Sequence, residues 1–118
     1  MINIKRIYDK PSADDGIRIF VDKIWPRGMT KEKAKIDLWL KKIAPSDVLR
    51  KWFAHDPKKW EAFKKKYFKE LKDEPESVNL IAHKARRYRV TLLYGAKEIA
   101  HNNAVALKEY LVNERKRK

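Results

Sequence analysis

The chain predicts an α/β fold: a small single domain over residues 1–118, with a short, largely parallel sheet of about three strands and several covering helices. Three observations carry this expectation. Ile17, Ile19 and Val21 alternate with Arg18 and Phe20, while Val90-Thr91-Leu92-Leu93 is a continuous β-prone run of the kind found in a parallel sheet covered on both faces. Between them lies a long stretch of helical periodicity, the crossover that parallel pairing requires. A chain of 118 residues buries about two-thirds of its unfolded surface around one core and is too short for two ordinary domains.

Taken in order, Ile2, Ile4 and Ile7 with Tyr8 form a first strand ending near Asp9, and Pro11, Ser12, Asp14, Asp15 and Gly16 make a loop. The second strand follows, closed by Pro26 and Gly28. Thr30 caps a helix expected from Lys31 to Pro45, with Ala34, Ile36, Leu38, Trp39, Leu40 and Ile43 on a broad apolar face. Ser46 caps a short helix carrying Val48, Leu49, Trp52 and Phe53. Asp56-Pro57 is a restart, an N-cap acid before a proline at the first helical position, and opens a helix to Lys72. Trp60, Phe63, Tyr67 and Leu71 recur there at spacings of three and four, a core stripe beside a lysine-rich exterior. Asp73 to Glu76 breaks the pattern, and Val78, Leu80, Ile81 and Ala85 predict a further helix to Arg87. The last strand ends at Gly95, and a final helix begins at His101-Asn102-Asn103 with Ala104, Leu107 and Leu111 along its buried stripe.

Hydrophobic residues make up 43% and include four tryptophans, enough apolar material for a packed core despite 39% charged residues. The absence of cysteine excludes disulfides, thiolate metal sites and cysteine nucleophiles. No apolar run approaches the roughly 20 residues that span a bilayer, and Met1-Ile2-Asn3-Ile4 reads as a strand start, not a signal peptide, so a cytoplasmic protein without membrane association is expected. Thirty Lys plus Arg stand against 16 Asp plus Glu, a net charge of +14. An excess of this size attracts polyanions and makes nucleic acid or a small phosphate-bearing ligand the expected partner; the alternative is a solvated lysine-rich surface. The tail Arg115-Lys116-Arg117-Lys118 adds to the excess and suits the negative end of a helix dipole.

The candidate site gathers at the carboxyl ends of the second and last strands, where open α/β sheets bind ligands. Asp22, Lys23, Trp25, Arg27 and Gly28 come from one, and Tyr94, Gly95, Lys97, His101, Asn102 and Asn103 from the other, provided that the two strands are neighbours. Arg27 would grip a phosphate or carboxylate through two hydrogen bonds, Lys23 would add a point charge, and N–H groups at the helix start near Asn102 favour an anion. Trp25 and Tyr94 offer planar faces for stacking. The competing reading is a structural Asp22–Arg27 salt bridge beside a buried Trp25. In an enzyme of hydrolase or transferase type, Asp22 or His55 would act as general base, His55 sitting at a helix junction beside Asp56. No nucleophile elbow, glycine-rich phosphate loop, metal-binding histidine pair or cofactor motif accompanies them. A third class, an interaction module, would use Trp25, Trp39 and Trp52 as an exposed aromatic anchor.

Several runs together carry a family resemblance: Lys5 to Asp9, Asp15 to Arg18, Val21 to Gly28, Ala44-Pro45-Ser46, Leu49 to Pro57 and Leu92 to Lys97. In this order they resemble the YeaO-like short branch of the domain-of-unknown-function 488 (DUF488) family. The resemblance implies a small bacterial or archaeal cytosolic α/β protein of a family whose name records that its activity is not established. The family's usual motif has arginine after the strand aspartate, where this chain has Lys23, so a bidentate contact becomes a single ammonium contact. Longer relatives carry cysteine and a Cys-His-Arg run where this chain has Tyr94 and His101-Asn102-Asn103, so thiol chemistry does not carry over.

Overall fold

The computed structural model describes residues 1–117, with side chains as far as Glu114. The side chains of the basic run Arg115-Lys116-Arg117-Lys118 lie outside the described residues. Four strands, β1 (Ile2–Arg6), β2 (Ile17–Phe20), β3 (Leu38–Trp39) and β4 (Val90–Tyr94), form one sheet in the order β1-β4-β2-β3. Every neighbouring pair is parallel. The helices are α1 (Lys31–Ala34), α2 (Asp47–Phe53), α3 (Trp60–Lys72), α4 (Pro75–Arg87) and α5 (Asn103–Arg117). Among the described residues no helix is long and apolar enough to cross a membrane.

The pleat of the strands divides the core in two. Ile2, Ile19, Leu92 and Tyr94 join Leu49, Phe63, Tyr67, Ile81 and Leu107 in the larger cluster, formed with the long helices. Ile7, Phe20 and Leu93 join Ala34, with Trp25, Met29, Ile36 and Trp39 packed against them, in the smaller one. β4 is buried at all five positions, as its unbroken apolar run predicts for a strand enclosed on both faces. Each large apolar side chain withdrawn from water stabilises the fold by about 1.5–3 kcal/mol.

The helix starts follow the capping chemistry of the sequence. Thr30 Oγ1 accepts from Lys33 N at 3.1 Å, Ser46 Oγ from Leu49 N at 3.1 Å, and the Asp56 carboxylate from Lys58 N at 3.0 Å. Gly16 sits at φ 66°, and a Cβ there would fall 2.2 Å from the Arg89 carbonyl oxygen that accepts the N–H of Ile17 at 2.9 Å. Only glycine lets the loop pass so close to the backbone of Arg89, just before β4.

One expected element is corrected. The helix from Lys31 to Pro45 does not form: α1 stops at Ala34, Leu38–Trp39 becomes β3, and Lys41–Ile43 is a 3₁₀ turn. The cause is Arg18, a buried arginine on β2 whose Nε and Nη2 donate to the Ala34 carbonyl at 3.1 and 2.7 Å, and whose Nε also reaches the Lys35 carbonyl. These bonds take the carbonyls that a further helical turn would use, and Lys35 turns into the left-handed region at φ 47°. Asp37 then pairs with Arg18 through Asp37 N to Arg18 O and Arg18 N to Asp37 Oδ2, both 2.8 Å, drawing the chain into the sheet. The sheet consequently has four strands, where the sequence predicts about three.

Candidate functional site

β2 and β4 are hydrogen-bonded neighbours, and Val21 N still donates to Leu93 O at 3.1 Å beyond the end of β2. The segments following them therefore leave the sheet side by side, which brings the two halves of the expected site together. Asp22 ties them. Its Oδ2 accepts from Gly95 N at 2.8 Å and its Oδ1 from Asn103 Nδ2 at 3.0 Å, while Asn103 Nδ2 also donates to Val21 O at 3.1 Å. The Asp22 carbonyl accepts from Trp39 Nε1 at 2.7 Å, adding β3 to the same knot. A Cβ at Gly95 would lie 3.2 Å from Asp22 Oδ2, so glycine permits the close approach of strand end and carboxylate. Burial pushes the Asp22 carboxyl up; the Gly95 and Asn103 bonds and the positive fields of Arg50 and His55 offset this only in part, and the net direction is upward.

Asn102 begins α5. Its Oδ1 accepts from Val105 N at 3.0 Å, its Nδ2 donates to Glu98 O at 2.9 Å, and its side chain also meets the Tyr94 hydroxyl. Above Asp22 opens a cleft of about 440 Å³, a volume within the range of small-ligand sites. Its polar lining includes Asp22, Lys23, Arg50, His55, Asn102 and Asn103, and its apolar lining includes Ile24, Phe53, Phe63 and Ala96. At the rim, Lys23 Nζ and Arg50 Nη2 share Asp47, at 3.2 and 3.4 Å from its two oxygens, and Lys51 stands beside them on α2. Lys23 and then Arg50 hold the Asp47 carboxyl below the usual carboxylate range.

His55 reaches the cleft through an unusual turn. α2 ends with Ala54 at φ 47° and His55 at φ 58°, two consecutive non-glycine residues in the left-handed region. Such positions cost about 1–3 kcal/mol each and recur at ligand sites, where surrounding contacts hold them. Here they swing the chain from α2 to the Asp56 cap and place the imidazole 6.1 Å from the Phe53 ring.

Of the residues singled out from the sequence, Asp22, Lys23, His55, Asn102 and Asn103 line one cleft, and Gly95 supports its floor. The others do not line it. Trp25 packs against Phe20 and Trp39 at ring separations of 5.5 and 5.2 Å, and its Nε1 donates to Met29 O. Arg27 and Gly28 are exposed, the Arg27 carbonyl accepting from the Tyr8 hydroxyl at 3.0 Å, and among the described residues no ion pair joins Asp22 to Arg27. Tyr94 is buried in the main core, and Lys97 is exposed. His101 has its Nδ1 3.3 Å from Glu98 and its ring edge-on to Trp60. Trp25 and Trp39 are half-buried in the smaller cluster, and Trp52, at 37% exposure, lies under the ammonium groups of Lys59 and Lys66. Arg50, Lys51 and Ala96 are among the lining residues that the sequence did not single out, although all three lie within the runs that carry the family resemblance. Among the described residues no group of three or more His, Asp or Glu side chains is placed to hold a metal ion.

Comparison with known proteins locates the chain within a family. The profile of the inactive DUF488-N3 subclade matches residues 1–118. This chain belongs to the DUF488 family. It is 38% identical over 110 residues to the uncharacterized protein YeaO of Escherichia coli, a match covering 93% of this chain and 96% of that relative. It is also 33% identical over 110 residues to uncharacterized proteins of Mycobacterium tuberculosis and Mycobacterium bovis, covering 93% of this chain and 92% of each. No solved structure matches the chain. Two of the runs that carry the resemblance, Val21 to Gly28 and Leu92 to Lys97, are held together by the bond from Gly95 N to Asp22.

Proposed function

We propose that this DUF488 protein binds a small phosphate-bearing ligand in the cleft at the carboxyl ends of β2 and β4. The carrying observation is the cleft itself: about 440 Å³, with apolar walls at Phe53 and Phe63 and a cationic rim of Lys23, Arg50 and Lys51. Apolar walls with a few convergent polar groups suit a ligand with a planar body and an anionic head. Lys23 and Arg50 are half-exposed and share Asp47 in solvated pairs of little strength, so a phosphate can exchange for that carboxylate at little cost. The start of α5 adds N–H groups and the positive end of a fifteen-residue helix. The description of the subclade as inactive agrees with binding without turnover.

Calorimetric titration with inorganic phosphate and with nucleoside monophosphates tests this. Arg50→Ala with Lys51→Ala should weaken binding at least about tenfold, equivalent to the loss of one good charge-assisted contact. Arg27→Ala, away from the cleft, should leave it unchanged. Affinity should rise as the pH falls through the raised value of Asp22, because protonation removes a negative charge from the floor. Equal affinity of the native protein and the Arg50/Lys51 variant would refute binding at the cleft.

A second reading, hydrolase- or transferase-like chemistry with Asp22 or His55 as proton acceptor, draws on the raised Asp22 carboxyl beside the cleft. The two readings part at Asp22→Asn. Catalysis requires turnover that this substitution abolishes with folding retained, whereas a binding site keeps or gains affinity when the carboxylate charge is removed.

A further inference from the structure

A second cavity, of about 480 Å³, adjoins the cleft, and Lys23, Ala44 and Pro45 line both. Lys41 and Lys42 line the second cavity, and both are exposed. Lys41 Nζ lies 4.2 Å from the centroid of the Trp39 ring, which holds that ammonium near the sheet edge. Cationic groups thus line both cavities: Arg50 and Lys51 the cleft, Lys41 and Lys42 the second cavity, and Lys23, with the uncharged Ala44 and Pro45, both.

Resting on the cleft reading above, we propose that the ligand is a single-stranded polynucleotide, with its terminal nucleotide in the cleft and its phosphodiester backbone continuing past Lys23 to Lys41 and Lys42. A mononucleotide satisfies the first cavity alone and leaves the second row of lysines without a phosphate. A base within a duplex enters a cleft of this size only after unpairing and unstacking, at a cost of a few kcal/mol that a single strand avoids. The net charge of +14 supplies the long-range attraction. Acidic groups share the second cavity: Glu70 spends its carboxylate on Ser46 N and Oγ, whereas Asp73 and Glu74, at the end of α3, line the cavity with the lysines and oppose the strand's phosphates.

The test measures fluorescence anisotropy of labelled oligothymidylate of about twelve residues, with thymidine monophosphate as the short ligand, at several salt concentrations. The native protein should bind the oligomer at least tenfold more tightly than the monophosphate. Lys41→Ala with Lys42→Ala, two exposed positions, should abolish that gain, leave monophosphate binding intact, and reduce the slope of log affinity against log salt by about 1.4, or 0.7 for each lost contact. Asp73→Asn with Glu74→Gln should tighten oligomer binding. Thermal melts by circular dichroism establish that each variant is folded. Monophosphate binding without a length effect, a length effect that survives in the Lys41/Lys42 variant, or equal competition by duplex would each overturn the track and leave the cleft reading standing. No binding of either ligand at low salt would overturn both.

Discussion

Asp15 and Asp22 feel the same force, burial, with opposite net results. At Asp15 burial pushes the carboxyl up, but the Ser12 N–H, Lys5 and Arg18 together outweigh it and hold the group below the ordinary carboxylate range. At Asp22 two hydrogen bonds do not outweigh burial, and the group rises. The linkage signs follow. Asp15 contributes stability that is present above the ordinary carboxylate range and lost as the pH falls through its lowered value. Asp22 contributes stability that is present below the ordinary range and lost as the pH rises through its raised value. Arg18, at 4% exposure, depends on Asp15 for its counter-charge, so Asp15→Ala should cost about 3–5 kcal/mol in urea unfolding at neutral pH. The deficit should shrink on acidification as the native carboxylate protonates; a deficit independent of pH would show that packing alone is lost. The site residues legible in the sequence are those beside a marked break in the chain: Asp22 and Lys23 at a strand end, His55 at a helix junction, and Asn102 and Asn103 at a helix start. Arg50 and Lys51 were not, because nothing local fixes which side of α2 faces the sheet.

Among the elements, α3 and β3 mark the two extremes of legibility. The α3 stripe of Trp60, Phe63, Tyr67 and Leu71 is buried as its spacing predicts, because helical periodicity and the Asp56-Pro57 start agree. β3 was hidden within an apparent helix, because its conformation comes from a tertiary contact, the Arg18 guanidinium on the Ala34 carbonyl, which has no local signature. Tyr67 shows how α3 is fixed in place. It is fully buried, burial raises its phenol well above the ordinary value so that it stays a donor, and its hydroxyl donates to Ile43 O at 2.6 Å. Tyr67→Phe leaves that buried carbonyl unpaired and should destabilise by about 1–3 kcal/mol in chemical denaturation, with little change in far-UV circular dichroism. A neutral substitution would mean that water reaches Ile43 O.

For the molecule as a whole, a net charge of +14 on 118 residues opposes compaction by self-repulsion. The ion pairs at Lys23–Asp47 and Arg50–Asp47 are largely solvated and offset little of it. The melting temperature should therefore rise by several degrees as salt increases from about 0.01 M to 0.5 M, while the screening length shortens from roughly 30 Å to a few Å. A falling melting temperature would show that attractive pairs outweigh the repulsion.

The sheet order also bears on how the chain is made. β1 and β2 never pair with each other; both pair with β4, which lies between them and is the last strand in sequence. As the polypeptide leaves the ribosome, most of the sheet stays unzipped until residues near Tyr94 emerge, with only the two-residue β2–β3 contact available before then. Nascent chains halted before Val90 should thus be protease-sensitive and chaperone-bound, and the folded state should arrive late and in a single step once the final quarter of the chain is free.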